Sequence, residues 1–181
     1  VTQEEMSTTD NDIINAISKN PEKGFRMLVK KYMQPVYWHI RRLVVVHADA
    51  QDASQETFIR VYRSISSLRD TKAFATWIYR IATNEAMRIV EARKNADTDI
   101  DSHADMLAAD SYVDYSDAEA VKLQNAILRL PPRQQVVFNL RYYNEMGYDD
   151  IAKVVDSTAA AAKTNYHLAK EKIIEYMTSN E

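Results

Sequence analysis

Only two glycines, Gly24 and Gly147, and four prolines occur in 181 residues. Sheets and their tight turns consume glycine, whereas helices joined by short connections need little of it. The scarcity predicts an all-α fold, and the apolar spacing agrees. Phe25, Leu28, Val29, Tyr32, Val36, Tyr37, Ile40, Leu43 and Val44 recur at helical intervals and mark one stripe. Pro35 lies inside that stripe. A prolyl ring removes one helical hydrogen bond and crowds the preceding turn, so a kink or a break between two helices is expected there. A shorter helix with Ile13, Ile14 and Ile17 precedes it, capped by Asp10 or Asn11 and stopped at Asn20 and Pro21. A third helix from near Ala48 turns Ala50, Ala53, Thr57, Val61, Tyr62 and Ile65 inward. Residues 66–72 read as a loop, and a fourth helix from about Ala73 to Ala92 mixes aromatic and basic residues.

Charge divides the chain more sharply than hydropathy does. The net charge is −3, which by itself argues against binding a polyanion. Residues 21–95, however, hold fourteen basic and seven acidic groups, and residues 96–119 hold eight acidic groups and no basic one. A basic unit thus sits beside an acidic strip. Residues 96–117 carry repeated aspartates with little aliphatic periodicity, too little apolar area to offset the entropy of ordering them. They are expected to be a flexible acidic linker between two small helical domains.

After the linker, Ala120, Leu123, Ile127 and Leu130 predict a helix that ends before Pro131 and Pro132. Val136, Val137 and Leu140 continue the pattern to about Tyr143. Residues 148–155, a turn at Asp156 and Ser157, and residues 158–179 then form a helix-turn-helix pattern. In that motif the first turns of the second helix enter the major groove, where small and hydrogen-bonding side chains belong. The last helix turns Ala162, Tyr166, Ala169, Ile173 and Met177 inward and presents Ala159, Ala160, Lys163, Thr164 and His167 outward, behind Thr158 as N-cap. An ordinary helical hairpin with a solvated polar face fits the pattern about as well.

No cysteine is present, and His39, His47, His103 and His167 are scattered without metal-ligand spacing. No nucleophile–base pair or phosphate loop is evident, so an enzyme, a metal and a cofactor are not expected. No apolar run is long enough to cross a bilayer and no signal-peptide pattern opens the chain, which predicts a cytoplasmic protein without membrane insertion.

Three segments in register resemble a known family. Residues 47–62, reading HADAQDASQETFIRVY, residues 74–84, reading FATWIYRIATN, and residues 130–143, reading LPPRQQVVFNLRYY, with GYDDIA at 147–152 and then Lys163, His167 and Ala169, are similar to extracytoplasmic-function sigma factors of bacterial RNA polymerase. The resemblance covers roughly residues 12–177. It implies residues 1–20 as a helix leading into a first domain, 21–95 as a region 2-like domain, 96–117 as the linker, and 118–181 as a region 4-like domain.

The resemblance also implies roles. Asp49, Asp52, Gln55, Glu56 and Arg60 would meet the β′ clamp coiled coil of core RNA polymerase, with the β subunit as a further contact. Carboxylates on an outward helix face suit a basic partner helix. The −10 element would be opened and held by Arg69, Lys72, Trp77, Arg80, Asn84 and Arg88, Arg69 and Lys72 lying where the family holds a flipped base. Freed bases want stacking surfaces and the backbone wants cations. Phe74, Trp77 and Tyr79 offer rings, and Arg93 and Lys94 add charge. Phe74 and Trp77 also have core spacing, and Trp77 stays open between core and base stacking. The −35 element would be read by Thr158, Ala160, Lys163, Thr164 and His167, with Arg133 and Lys170 near phosphates.

The family often has glycine in the turn where this chain has Asp156, a residue that tolerates a left-handed backbone. Partners implied are core polymerase, promoter DNA as duplex and as melted strand, and an anti-sigma factor. The function implied is promoter-specific initiation of transcription without chemistry of its own. The competing expectation is a stand-alone helix-turn-helix regulator that binds DNA without polymerase; a helical interaction protein has no need of the basic, aromatic helix 72–94.

Overall fold

The computed structural model describes residues 8–68, 71–95 and 117–179, and all regular structure among them is helical. The first unit contains α1 (Asp10–Lys19), α2 (Pro21–Val44), α3 (His47–Ser64) and α4 (Phe74–Asn95). The second contains α5 (Ala118–Leu128), α6 (Pro132–Tyr142), α7 (Tyr148–Val155) and α8 (Ala159–Thr178). The expected all-α fold of two small helical domains, the second with a helix-turn-helix, is the one observed. The linker expected at 96–117 lies outside the described residues except for Asp117, which N-caps α5.

Local chemistry sets the boundaries. Thr9, not Asp10 or Asn11, caps α1: its hydroxyl accepts from the Asp12 N–H, and the Asp12 carboxylate accepts from the Thr9 N–H in return. The Thr9 hydroxyl and N–H both donate to the Asp12 carboxylate and hold its pKa below the usual value. Asn20 ends α1 and caps α2, with Pro21 in the first helical position, where a missing N–H costs nothing. Gly24 is needed for the close approach of the two helices. A Cβ there would lie 2.4 Å from the Ile17 backbone nitrogen.

The break expected at Pro35 does not occur. One helix of 24 residues runs through it, with Pro35 itself exposed on the solvent side. The stripe on the other side, Leu28, Tyr32, Val36, His39, Ile40 and Leu43, is buried. Its burial outweighs the interior-proline cost of about 3 kcal/mol, at a position where water can satisfy the freed carbonyl.

The connection to α3 is a three-residue turn, with the Val46 N–H donating to Val44 O at 2.8 Å and Val45 at φ 68°. A β-branched residue is strained in that region, yet Val45 is almost fully buried. Ala50, Ala53, Thr57 and Val61 of α3 face inward as expected, whereas Tyr62 is 49% exposed and leans edge-on against Phe25 at 4.9 Å between ring centres. The stretch expected as a loop contains two short 3-10 turns, Ile65–Ser67 and Thr71–Ala73.

The two units share one buried cluster. Leu28, Ile40, Phe74, Ile78 and Ala82 of the first unit join Val136, Leu140, Ile151 and Val154 of the second. A smaller cluster, with Ile127, Leu130, Phe138, Ala169 and Ile173, anchors α8 on α5 and α6. Helix α7 lies against α4, and α6 touches α2. Where the units meet, Asn144 Nδ2 donates to the Tyr79 hydroxyl at 3.1 Å and the Arg42 guanidinium sits 4.1 Å above the Tyr143 ring.

Candidate nucleic-acid interface

Helices α7 and α8 form a helix-turn-helix whose turn depends on one residue. Asp156 adopts φ 54°, ψ 60°, the left-handed conformation expected for it, and ends α7. Arg133 at the start of α6 reaches back to this turn, donating to Val155 O at 2.8 Å and Asp156 O at 3.2 Å. A guanidinium on the last carbonyls of a helix offsets their partial negative charge. Thr158 then caps α8 by accepting from the Ala161 N–H at 3.1 Å.

Ala162, Ala169 and Ile173 are buried, with Tyr166 and Met177 partly so, as the inward face requires. Thr158, Ala160, Lys163, Thr164, His167 and Lys170 are all exposed. Tyr166 stacks on Phe138 at 5.8 Å, which fixes the pitch of α8 on α6. The exposed N-terminal turns therefore stand free on a rigid base, as entry into a major groove demands.

In α4, Lys72 just before the helix and Arg80, Asn84 and Arg88 along it are exposed, and Arg69 lies outside the described residues. Among the rings offered for base stacking, Phe74 is fully buried edge-on to Tyr32, and Tyr79 is 7% exposed beside His39 and Asn144. In this arrangement both are core. Burial pushes the Tyr79 hydroxyl pKa up. Trp77 is half-buried, stacked on Phe74 at 6.3 Å, and keeps a partly open face. Arg93, expected as a backbone cation, instead pairs with Asp49 and donates to Val44 O, which ties α4 to the start of α3 and the end of α2.

On α3, Asp52 and Gln55 are exposed and Glu56 is half-buried, accepting from Arg60 Nε at 3.2 Å. Asp49 and Arg60 are thus held by internal ion pairs, while Asp52 and Gln55 point outward. Two residues of this region escaped the sequence reading. Ile59, 43% exposed one turn beyond Gln55, places an apolar contact within the charged face; isolated from any stripe, it gave no periodic signal. Glu85 is a buried carboxylate between two arginines, Arg60 Nε at 2.7 Å and Arg88 Nη2 at 2.9 Å. Its signal was an acid three residues before Arg88, one of two in a helix with four basic residues.

Two hollows border these surfaces. A 510 Å³ cleft between the units is lined by Arg80, Asn84, Glu91, Arg133, Val154 and Asp156. An apolar one of 580 Å³ lies beside the 3-10 turns, lined in part by Ile14, Ile17, Phe25, Tyr62, Ile65 and Leu68. Among the described residues no cluster of His, Asp or Glu has metal-binding geometry, and no helix is long and apolar enough to cross a membrane.

A grounded helix-turn-helix beside a basic, aromatic helix defines a DNA-binding protein of the transcription machinery. The family model for sigma-70 region 2 matches residues 28–96, and that for sigma-70 region 4 matches residues 120–173. The ECF RNA polymerase sigma-E factor of Haemophilus influenzae is 30% identical over 178 residues, 91% of this chain and 93% of that protein. The RNA polymerase sigma-H factor of Pseudomonas aeruginosa is 29% identical over 176 residues, 91% of each chain. In fold, the chain is similar to CnrH in complex with the cytosolic domain of CnrY, with TM-score 0.73, 15% identity, and 95% of this chain and 99% of that one covered. It is similar also to RpoE of Bartonella quintana in complex with the anti-sigma factor NepR, with TM-score 0.68, 16% identity, and 88% and 99% covered.

The chain belongs to the extracytoplasmic-function sigma factors. It binds core RNA polymerase and promoter DNA and directs promoter-specific initiation of transcription.

Proposed function

We propose a division of this work between the two units. Residues 21–95, preceded by the N-terminal segment that carries α1, dock on polymerase and hold the −10 element; residues 118–181 read the −35 element; and residues 96–117 connect them. Polymerase is met through the α3 face of Asp49, Asp52, Gln55, Glu56 and Arg60, with Ile59 adding an apolar anchor. The β′ clamp coiled coil takes that face, with the β subunit as a further contact. Lys72, Trp77, Arg80, Asn84 and Arg88, with Arg69, engage the melted strand. Thr158, Ala160, Lys163, Thr164 and His167 meet the −35 duplex, Lys170 and Arg133 standing toward phosphates.

The observation that carries the reading is the free face of α8. Its first turns are exposed behind the Thr158 cap while Ala162 and Ala169 are buried beneath them. With a net charge of only +1 over residues 120–181, that face binds DNA weakly alone. Affinity then comes from two modest contacts held on one polymerase scaffold. Bond making stays with polymerase, so the chain is not an enzyme, and it works in the cytoplasm where polymerase and promoter are. CnrH and RpoE were each solved with a bound partner, the latter's an anti-sigma factor; a comparable inhibitor is proposed for this chain.

A gel-shift titration with and without core enzyme tests the assignment. Retention of a promoter fragment only in the presence of core supports it. Equal retention by the chain alone indicates a stand-alone regulator instead.

A further inference from the structure

Four side chains of alternating charge run from α3 to α4. Glu56 lies 3.2 Å from Arg60, Arg60 lies 2.7 Å from Glu85, and Glu85 lies 2.9 Å from Arg88. The two arginines are half or more exposed, with side chains at 50% and 66%, whereas the Glu85 side chain is 5% exposed. A carboxylate out of water is tolerated only when paired. Glu85 Oε2, the oxygen facing Arg88, is buried and makes no well-directed hydrogen bond. Arg88 is held there by the ion pair rather than by a directed hydrogen bond.

We propose that Glu85 is a positioning residue for promoter opening: it fixes Arg60 on the polymerase-facing helix and Arg88 on the strand-facing helix from one buried carboxylate. This rests on the assignment of Arg88 to the −10 strand. The pair places a rigid, forked cation where a long arginine would otherwise sample many rotamers, and a preorganised donor loses less entropy on meeting phosphate. Because both arginines share one anion, a shift of Arg60 on docking to polymerase changes the grip on Arg88. The α3 surface is thereby linked to the α4 surface without any backbone movement.

The test is a double-mutant cycle read on assembled holoenzyme, with a fluorescent single-stranded oligonucleotide carrying the −10 sequence. Glu85→Gln keeps the shape of the side chain, but its amide presents a donor to one guanidinium. The expected result is an affinity loss of about tenfold, with Arg88→Gln adding less than about twofold in the Glu85→Gln background. Arg88→Lys, which keeps the charge and loses the fork, weakens binding as well. Independent, additive losses for Glu85→Gln and Arg88→Gln overturn the proposal, as does an unchanged affinity of Glu85→Gln. If Arg88→Gln alone has no effect, the assignment of Arg88 to the strand fails first, and the positioning role falls with it. Thermal melts of each variant separate a loss of fold, which a merely structural carboxylate would give, from a loss of grip.

Discussion

His39 is fully buried between α2 and α4, with one ring nitrogen 2.8 Å from the Thr83 hydroxyl. Burial, aided by the nearby Arg42 charge, lowers its pKa to about 3 from 6.5. The unfolded chain takes up a proton below pH 6.5 and the folded one does not until about 3, so over that interval the unfolded state binds more protons and stability falls with acidity. His39→Gln is expected to flatten the pH dependence of the denaturation midpoint across that window; an unchanged slope would contradict the buried, neutral ring. At the turn of the second unit, Asp156→Gly is expected to leave stability within about 0.5 kcal/mol, whereas Asp156→Val, β-branched in a left-handed conformation, costs about 1–2 kcal/mol. Urea melts distinguish the two. On the DNA side, Lys163→Ala is expected to lower −35 occupancy at matched salt, and equal occupancy would remove it from the contact face. Such positions were legible beforehand because Asp156 and the exposed turn of α8 obey local rules. The pairing of Asp49 with Arg93 was not, since it joins positions 44 apart in sequence and no local rule reaches that far.

Helix α2 shows what periodicity conveys and what it misses. The stripe from Leu28 to Leu43 predicted the buried face correctly, yet the ring of Pro35 was weighed as a kink or a break, and the helix runs on through it. Which side of a helix a proline occupies decides its cost, and here the buried stripe placed Pro35 toward solvent. Tyr62 erred the other way. It fits the inward rhythm of α3 but stands at the end where α1 and the 3-10 turns leave a hollow, so it remains half exposed. Gly24 was one of the two glycines that first pointed to helices, and its own reason is packing. Gly24→Ala is expected to destabilise the protein by about 1–3 kcal/mol through overpacking against Ile17. Gly147→Ala, where a Cβ meets nothing within 4 Å, serves as the control. Similar losses at both sites would contradict the close contact of α1 and α2.

At the scale of the molecule, the two units share a core and a polar seam, with Arg80 Nη2 lying 3.9 Å from the Asp156 carboxylate across the cleft. If the two units take the −10 and −35 elements as proposed, they part on the promoter. The −10 and −35 elements are about 25 base pairs apart, or about 85 Å at about 3.4 Å per pair, while α4 and α7 touch. A connection over residues 96–117 reaches about 75 Å when extended, enough for most of that span with the units' own dimensions added. A dye pair placed at Arg26→Cys and Glu171→Cys, in a chain otherwise free of cysteine, is expected to report a longer distance in the promoter complex than in the free protein. Sequence showed the two units and their charges but not this contact, because the apolar residues of the seam, Val136, Ile151 and Val154, have the same periodicity as any core residue.

The most direct measurement is run-off transcription with purified core polymerase on a promoter library. The chain is expected to produce transcripts from defined start sites that core alone does not, with the selected templates sharing two boxes at fixed separation. Transcripts that need no added chain, or none from any defined start, would contradict the account.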